Sequence, residues 1–145
     1  MIRRFAAALL AVLLLLTAAA PAETADTEIP TSAPEPTPKP ADGYVLVQSA
    51  TQVGWVPLPS EGELSLPLKQ ILPDGKEAVN TIHLTPNGVW MEDSTCEGHD
   101  CVKQGEVTLE NKDNRILGNM IICLPNQVTL SLYTPEEVLA LMTGN

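Results

Sequence analysis

Basic side chains are scarce: eight lysines and arginines stand against 18 carboxylates in 145 residues, a formal net charge of −10. Such a chain repels phosphate backbones and anionic lipid, so a nucleic-acid partner is not expected. Aromatic residues make up only 3% of the chain, and any core must be aliphatic. Past Leu16 no apolar run is long enough to cross a bilayer, which takes about 20 residues as a helix. Gly-x-Ser-x-Gly, His-Glu-x-x-His and a phosphate-binding glycine loop are all missing. No enzyme is therefore expected, and no cofactor.

What is present begins with an export signal. Met1-Ile2-Arg3-Arg4 precedes an apolar run from Phe5 to Leu16, and small residues from Thr17 to Ala22 close it. A positive start, a short apolar stretch and an Ala-x-Ala exit read as a secretory signal, with cleavage expected before Glu23. No cysteine lies near the exit, which argues against a lipoprotein anchor. Membrane attachment is expected only through an uncleaved signal, so the protein should be secreted or held at the cell surface. Cleavage would remove Arg3 and Arg4 but no acid, leaving 8 − 2 = 6 basic against 18 acidic residues, a net of −12.

Residues 23–42 read as a spacer. Pro30, Pro34, Pro36, Pro38 and Pro40 alternate with small and acidic residues, a composition too poor in apolar side chains to offset its ordering entropy. The expected folded domain is 43–145. Val, Ile and Leu supply 29 of those 103 residues, sufficient for one small core.

Periodicity within the domain is mostly two. Val128, Leu130 and Leu132 fall on one face of an alternating segment. Leu64-Ser65-Leu66-Pro67-Leu68 alternates too, and its proline, lacking an amide hydrogen, places that strand at an edge. Asn80–Leu84 and Val89–Glu92 flank Thr85-Pro86-Asn87-Gly88 and read as a hairpin. Tyr44–Gln48 and Val53–Leu58 form an opening pair, and Pro73-Asp74-Gly75 marks a turn. A further pair is expected from Leu109 and Ile116–Cys123 around the polar residues 110–115. The one helix follows Thr134-Pro135-Glu136-Glu137, a capping box with proline at the first helical position. Val138, Leu139, Leu141 and Met142 offer its apolar face, and Gly144 ends it. The expected fold is mainly β, a small antiparallel barrel or sandwich with a short C-terminal helix.

All three cysteines fall within 28 residues: Cys96, Cys101 and Cys123. Glu92-Asp93, Cys96-x4-Cys101-Val102-Lys103-Gln104-Gly105, Ile122-Cys123-Leu124-Pro125-Asn126 and the alternating strand from Val128 together resemble the NusG domain II family of exported bacterial proteins. The resemblance spans roughly 43–133 and is most specific over 88–133. It departs at Glu97, where the family often has proline, and at Glu106, where it often has an aromatic. It implies a small, mostly antiparallel β domain and no established activity.

In an exported chain clustered cysteines suggest a disulfide. Three cysteines allow three pairings. Cys96–Cys101 would staple the acidic loop, and Cys101–Cys123 would tie that loop to a later strand. The longer closure is worth roughly 3 kcal/mol against about 2 in the chain-entropy model. Alternatively, Cys96, His99, Cys101 and Cys123 form a four-ligand set for a thiophilic metal ion. His83 sits in a strand and reads as an ordinary facing side chain. Thiol catalysis is disfavoured, because acidic surroundings raise a thiol's pKa. The expected role is an interaction module for a protein partner at the cell envelope. Its binding edge would be the loop carrying Glu92, Asp93, Glu97, His99, Asp100, Lys103 and Gln104, with Trp55 or Trp90, if exposed, as an anchor. A redox- or metal-handling accessory using the three cysteines is the competing expectation.

Overall fold

The computed structural model describes residues 39–144. The expected signal at 1–22 and the expected spacer up to residue 38 lie outside the described residues. Eight strands run β1 (Tyr44–Gln48), β2 (Val53–Pro57), β3 (Leu64–Ile71), β4 (Glu77–Leu84), β5 (Gly88–Ser94), β6 (Val107–Thr108), β7 (Met120–Cys123) and β8 (Val128–Tyr133). Helix α1 (Asp100–Lys103) lies between β5 and β6, and α2 (Pro135–Thr143) follows β8. The strands make two four-stranded sheets ordered β2-β1-β8-β7 and β3-β4-β5-β6, antiparallel throughout. Neither sheet closes on itself, so the architecture is sandwich-like and not a barrel.

Alternation decides which side chains meet between the sheets. In β8, Val128, Leu130 and Leu132 are buried, and in β4 it is Ala78, Asn80, Ile82 and Leu84. Val45, Val47, Ile121, Leu130 and Leu132 of the first sheet share one core with Leu68, Ile82, Leu84, Val89 and Met91 of the second. The proline-bearing β3 is an edge strand, as its missing donor requires.

The expected hairpin forms between β4 and β5, but its glycine has another purpose. Thr85 N–H donates to Gly88 O at 2.9 Å, so Pro86 and Asn87 turn the chain and Gly88 already belongs to β5. A Cβ on Gly88 would stand 2.7 Å from the Val107 carbonyl oxygen, in the pairing of β5 with β6.

One expected pairing is corrected. Residues flanking 110–115 do not pair with each other: β6 joins β5 in the second sheet, while β7 joins β8 in the first. The intervening chain crosses between sheets, held by side chains that take over backbone partners. Arg115 donates to the carbonyls of Gln104, Gly118 and Met120 at 2.8, 3.1 and 2.9 Å. Asn111 accepts from Thr108 N–H at 2.8 Å and donates to Glu106 O at 3.2 Å.

Helix α2 starts on the expected capping box, Thr134 with Glu137, and ends at left-handed Gly144. Of its apolar face only Val138 is buried, and Leu139, Leu141 and Met142 stay exposed. Nine residues do not hold a helix alone, and the extra tie is Lys112, itself 5% exposed, which reaches Glu137 at 2.6 Å. The Glu137 hydrogen bond raises the Lys112 pKa. Burial works to raise Glu137, but Lys112 and the Thr134 amide outweigh it and hold the carboxyl below its usual range.

Gly88→Ala should cost about 1–3 kcal/mol in urea unfolding, because β6 must move away. A depressed carboxyl pKa adds stability above its ordinary value of 4.5 and loses it as pH falls through the folded value. Thermal melts from pH 7 to 3 should therefore show Glu137→Gln less stable than wild type at neutral pH, by about 1 kcal/mol. The two proteins should converge at the acid end.

Candidate functional site

Where β5 leaves the second sheet, the chain turns through residues 95–99 into α1. Gly98 and His99 both adopt left-handed backbone, φ 85° and 53°. Glycine does so freely, and a non-glycine residue there is uncommon. This double reversal brings Cys101, in the first turn of α1, back beside Cys96. Cys123, the last residue of β7, arrives from the other sheet.

The three sulfurs lie within 4.8 Å of one another. Cys96, Cys101 and Cys123 are 4%, 2% and 1% exposed. All three are free thiols; Cys96 and Cys101 stand 3.5 Å apart, beyond the roughly 2.05 Å of a disulfide. Among the described residues no histidine or carboxylate belongs to this group. A concavity of about 290 Å³ abuts the thiols, lined also by Leu124, Pro125, Glu97 and Asp100.

A buried polar knot supports the node from behind. Ser94 Oγ receives Asn80 Nδ2 at 3.0 Å, Asn126 Nδ2 at 3.2 Å and the Cys96 N–H at 3.2 Å. The same hydroxyl lies within hydrogen-bond reach of Cys123 Sγ, at 3.6 Å. Asn126 also donates to Asn80 Oδ1 at 2.9 Å, and its carbonyl accepts from Gln70 Nε2 at 2.6 Å. The thiols separate accordingly. Burial pushes Cys101 up to about 12, with neighbouring Cys123 and Cys96 adding to the rise. Burial also works against the Cys123 thiolate, but the Ser94 hydroxyl, the Asn80 amide and the Asn126 N–H outweigh it and lower that pKa. The arrangement can therefore present three sulfur ligands, with Cys123 the readiest of the three to ionise.

The other loop residues have different duties. Gln104 donates to Ile122 O at 2.7 Å and accepts from Ile122 N at 2.9 Å, so its amide extends the ladder along β7. Lys103 reaches Gly98 O at 2.7 Å and Asp100 at 3.1 Å, clasping the loop onto itself. His99 is half exposed and faces Asp93 at 4.0 Å. Glu92 leaves the loop group altogether. It accepts from Ser65 at 2.7 Å and contacts His83 Nδ1 at 3.3 Å, and the Ser65 hydroxyl, then His83, lower its pKa.

His83 is a strand side chain facing its cross-strand neighbours and stands outside the sulfur group. Its Nε2 lies 3.1 Å from Glu63, and its ring stacks on Trp90 with centroids 4.0 Å apart. Trp55 packs edge-on against Tyr133 at 5.5 Å. Sequence reasoning missed Ser65 and Glu63 because the contact depends on strand register, Ser65 opposite His83 and His83 opposite Trp90. It missed Ser94 and Asn80 because a polar residue at a buried strand position reads as a surface one.

Asn126→Ala should leave the buried Asn80 oxygen without its donor and destabilise the fold by about 2–3 kcal/mol in urea titration.

Comparison with known proteins agrees with this architecture. A crystal structure of the Lin0431 protein from Listeria innocua is 16% identical, with a TM-score of 0.50 over 64% of this chain and 97% of that one. The solution NMR structure of Lin0431 is 15% identical, with a TM-score of 0.51 over 70% of this chain and 82% of that one. A DUF1312 family protein from Enterococcus faecalis is 16% identical, with a TM-score of 0.48 over 64% and 98%. At these identities the Listeria likeness speaks to the fold alone. No curated protein matches. The family model for NusG domain II matches residues 9–135, which take in every strand of both sheets, and the chain belongs to the NusG domain II family.

Proposed function

We propose that this protein is an exported, non-enzymatic accessory domain of the cell envelope that handles a thiophilic metal ion through Cys96, Cys101 and Cys123. One observation carries the reading: three buried sulfurs from three separate segments converge within 4.8 Å. A structural cross-link needs two cysteines, and the third has no role in it. Thiolate sulfur selects soft or borderline ions. The neighbouring concavity supports access for the ion, and the Ser94 hydrogen bond supports ionisation of the first ligand. The acidic chain would sit apart from nucleic acid, and its partner would be another envelope protein that gives or takes the ion.

A second reading rests on the shortest sulfur pair. Cys96 and Cys101, 3.5 Å apart, would close a disulfide with a small shift and give an interaction module with a stapled loop. Its binding surface would be the exposed carboxylates Glu97 and Asp100.

Intact mass of the exported protein, native and denatured, with thiol alkylation before and after reduction, separates the two. Metal handling requires three alkylatable thiols on denaturation and a mass increment seen only in the native state. One alkylatable thiol, with a mass two hydrogens below the reduced form, would instead establish the stapled module.

A further inference from the structure

We infer that the node is a three-coordinate site for a monovalent d10 ion of the Cu(I) class, rather than a four-coordinate zinc site. The inference rests on the metal-handling reading and names its ion. Zinc held structurally is almost always bound by four protein ligands. Here, among the described residues, no imidazole or carboxylate stands within the sulfur group as a fourth donor.

His99 is the only imidazole in the loop, and its left-handed backbone turns it outward to Asp93. Asp100 is exposed and engaged by Lys103. The Gln104 amide spends both its oxygen and its nitrogen on Ile122. Ser94 already receives three donors. Glu97 shares the concavity, but its carboxylate lies outside the sulfur group, so the arrangement as it stands offers a metal three sulfurs and no fourth protein ligand.

Sulfur spacing suits that coordination. Metal–sulfur bonds of about 2.3 Å, arranged trigonally, place the sulfurs about 4 Å apart. The observed contacts, 3.5 Å between Cys96 and Cys101 and none beyond 4.8 Å, bracket this value and equally the roughly 3.8 Å of a tetrahedral set, so the spacing admits an ion and the ligand count selects which. Softness then favours a monovalent ion, which three thiolates satisfy, over a divalent ion that must keep a solvent ligand. The concavity beside the sulfurs provides the route by which a partner's sulfur ligand would approach for exchange.

The test uses the full chain, reduced and kept anaerobic, titrated with Cu(I) buffered by a chromogenic Cu(I) chelator and, separately, with Zn(II) against a chromogenic zinc chelator. Sulfur coordination is read by X-ray absorption. One Cu(I) per chain with three sulfur neighbours is expected. Affinity should be unchanged in His99→Ala and reduced about 100-fold or more in Cys123→Ser. His99→Ala keeps the test decisive if Cys123→Ser does not fold. Zinc held with a nitrogen or oxygen fourth ligand while Cu(I) is lost to the chelator would overturn the ion assignment and leave metal handling standing. Failure of the reduced chain to hold either ion would overturn both.

Discussion

Asn126 is the tie on which the rest of the structure depends. It sits in the turn joining β7 to β8, yet its side chain reaches Asn80 and Ser94 of the other sheet, and its carbonyl takes the Gln70 amide from β3. Apolar packing holds the sheets together over most of their area but does not fix how they register. A buried amide does, because every displacement costs a desolvated, unpaired group. Among the described residues no buried side-chain nitrogen or oxygen lacks a partner, so the knot is closed. Through Ser94 this restraint passes to Cys123. Sheet registry and sulfur geometry are thus one constraint.

Legibility in the sequence followed locality. The Val128 strand, the β4–β5 hairpin, the edge position forced by Pro67 and the Thr134 cap were readable because each is written within about eight residues. The convergence of the cysteines was readable only as proximity along the chain. That Cys123, at the end of β7, meets the turn after β5 and helix α1 depends on topology. The crossing itself was misread as a hairpin, since the polar residues 110–115 look like a turn. Arg115 and Asn111 make that stretch a bridge by satisfying backbone groups through side chains, and no periodicity announces such pairs. His99 looked like a fourth ligand by spacing, and only its backbone conformation shows why it faces outward.

The two polar clusters on the second sheet illustrate how environment sorts similar residues. On the inner face, Asn80 and Ser94 are neutral and exchange hydrogen bonds without net charge. On the outer face, His83 lies between Glu63 and Glu92 and flat on Trp90, where water screens the carboxylates. The neutral set carries rigidity into the interior. The charged set ties β3, β4 and β5 across their outer surface at little desolvation cost.

Pro67 has a consequence for crowding. The outer rim of β3 is eight residues long, enough for a stranger's backbone to add as a fifth strand. The proline removes one amide from that rim, and exposed Lys69 adds a charge to the same strand. Copies at high local concentration would meet edge to edge repeatedly. At that rim they find an interrupted template, which favours separate molecules over fibrils.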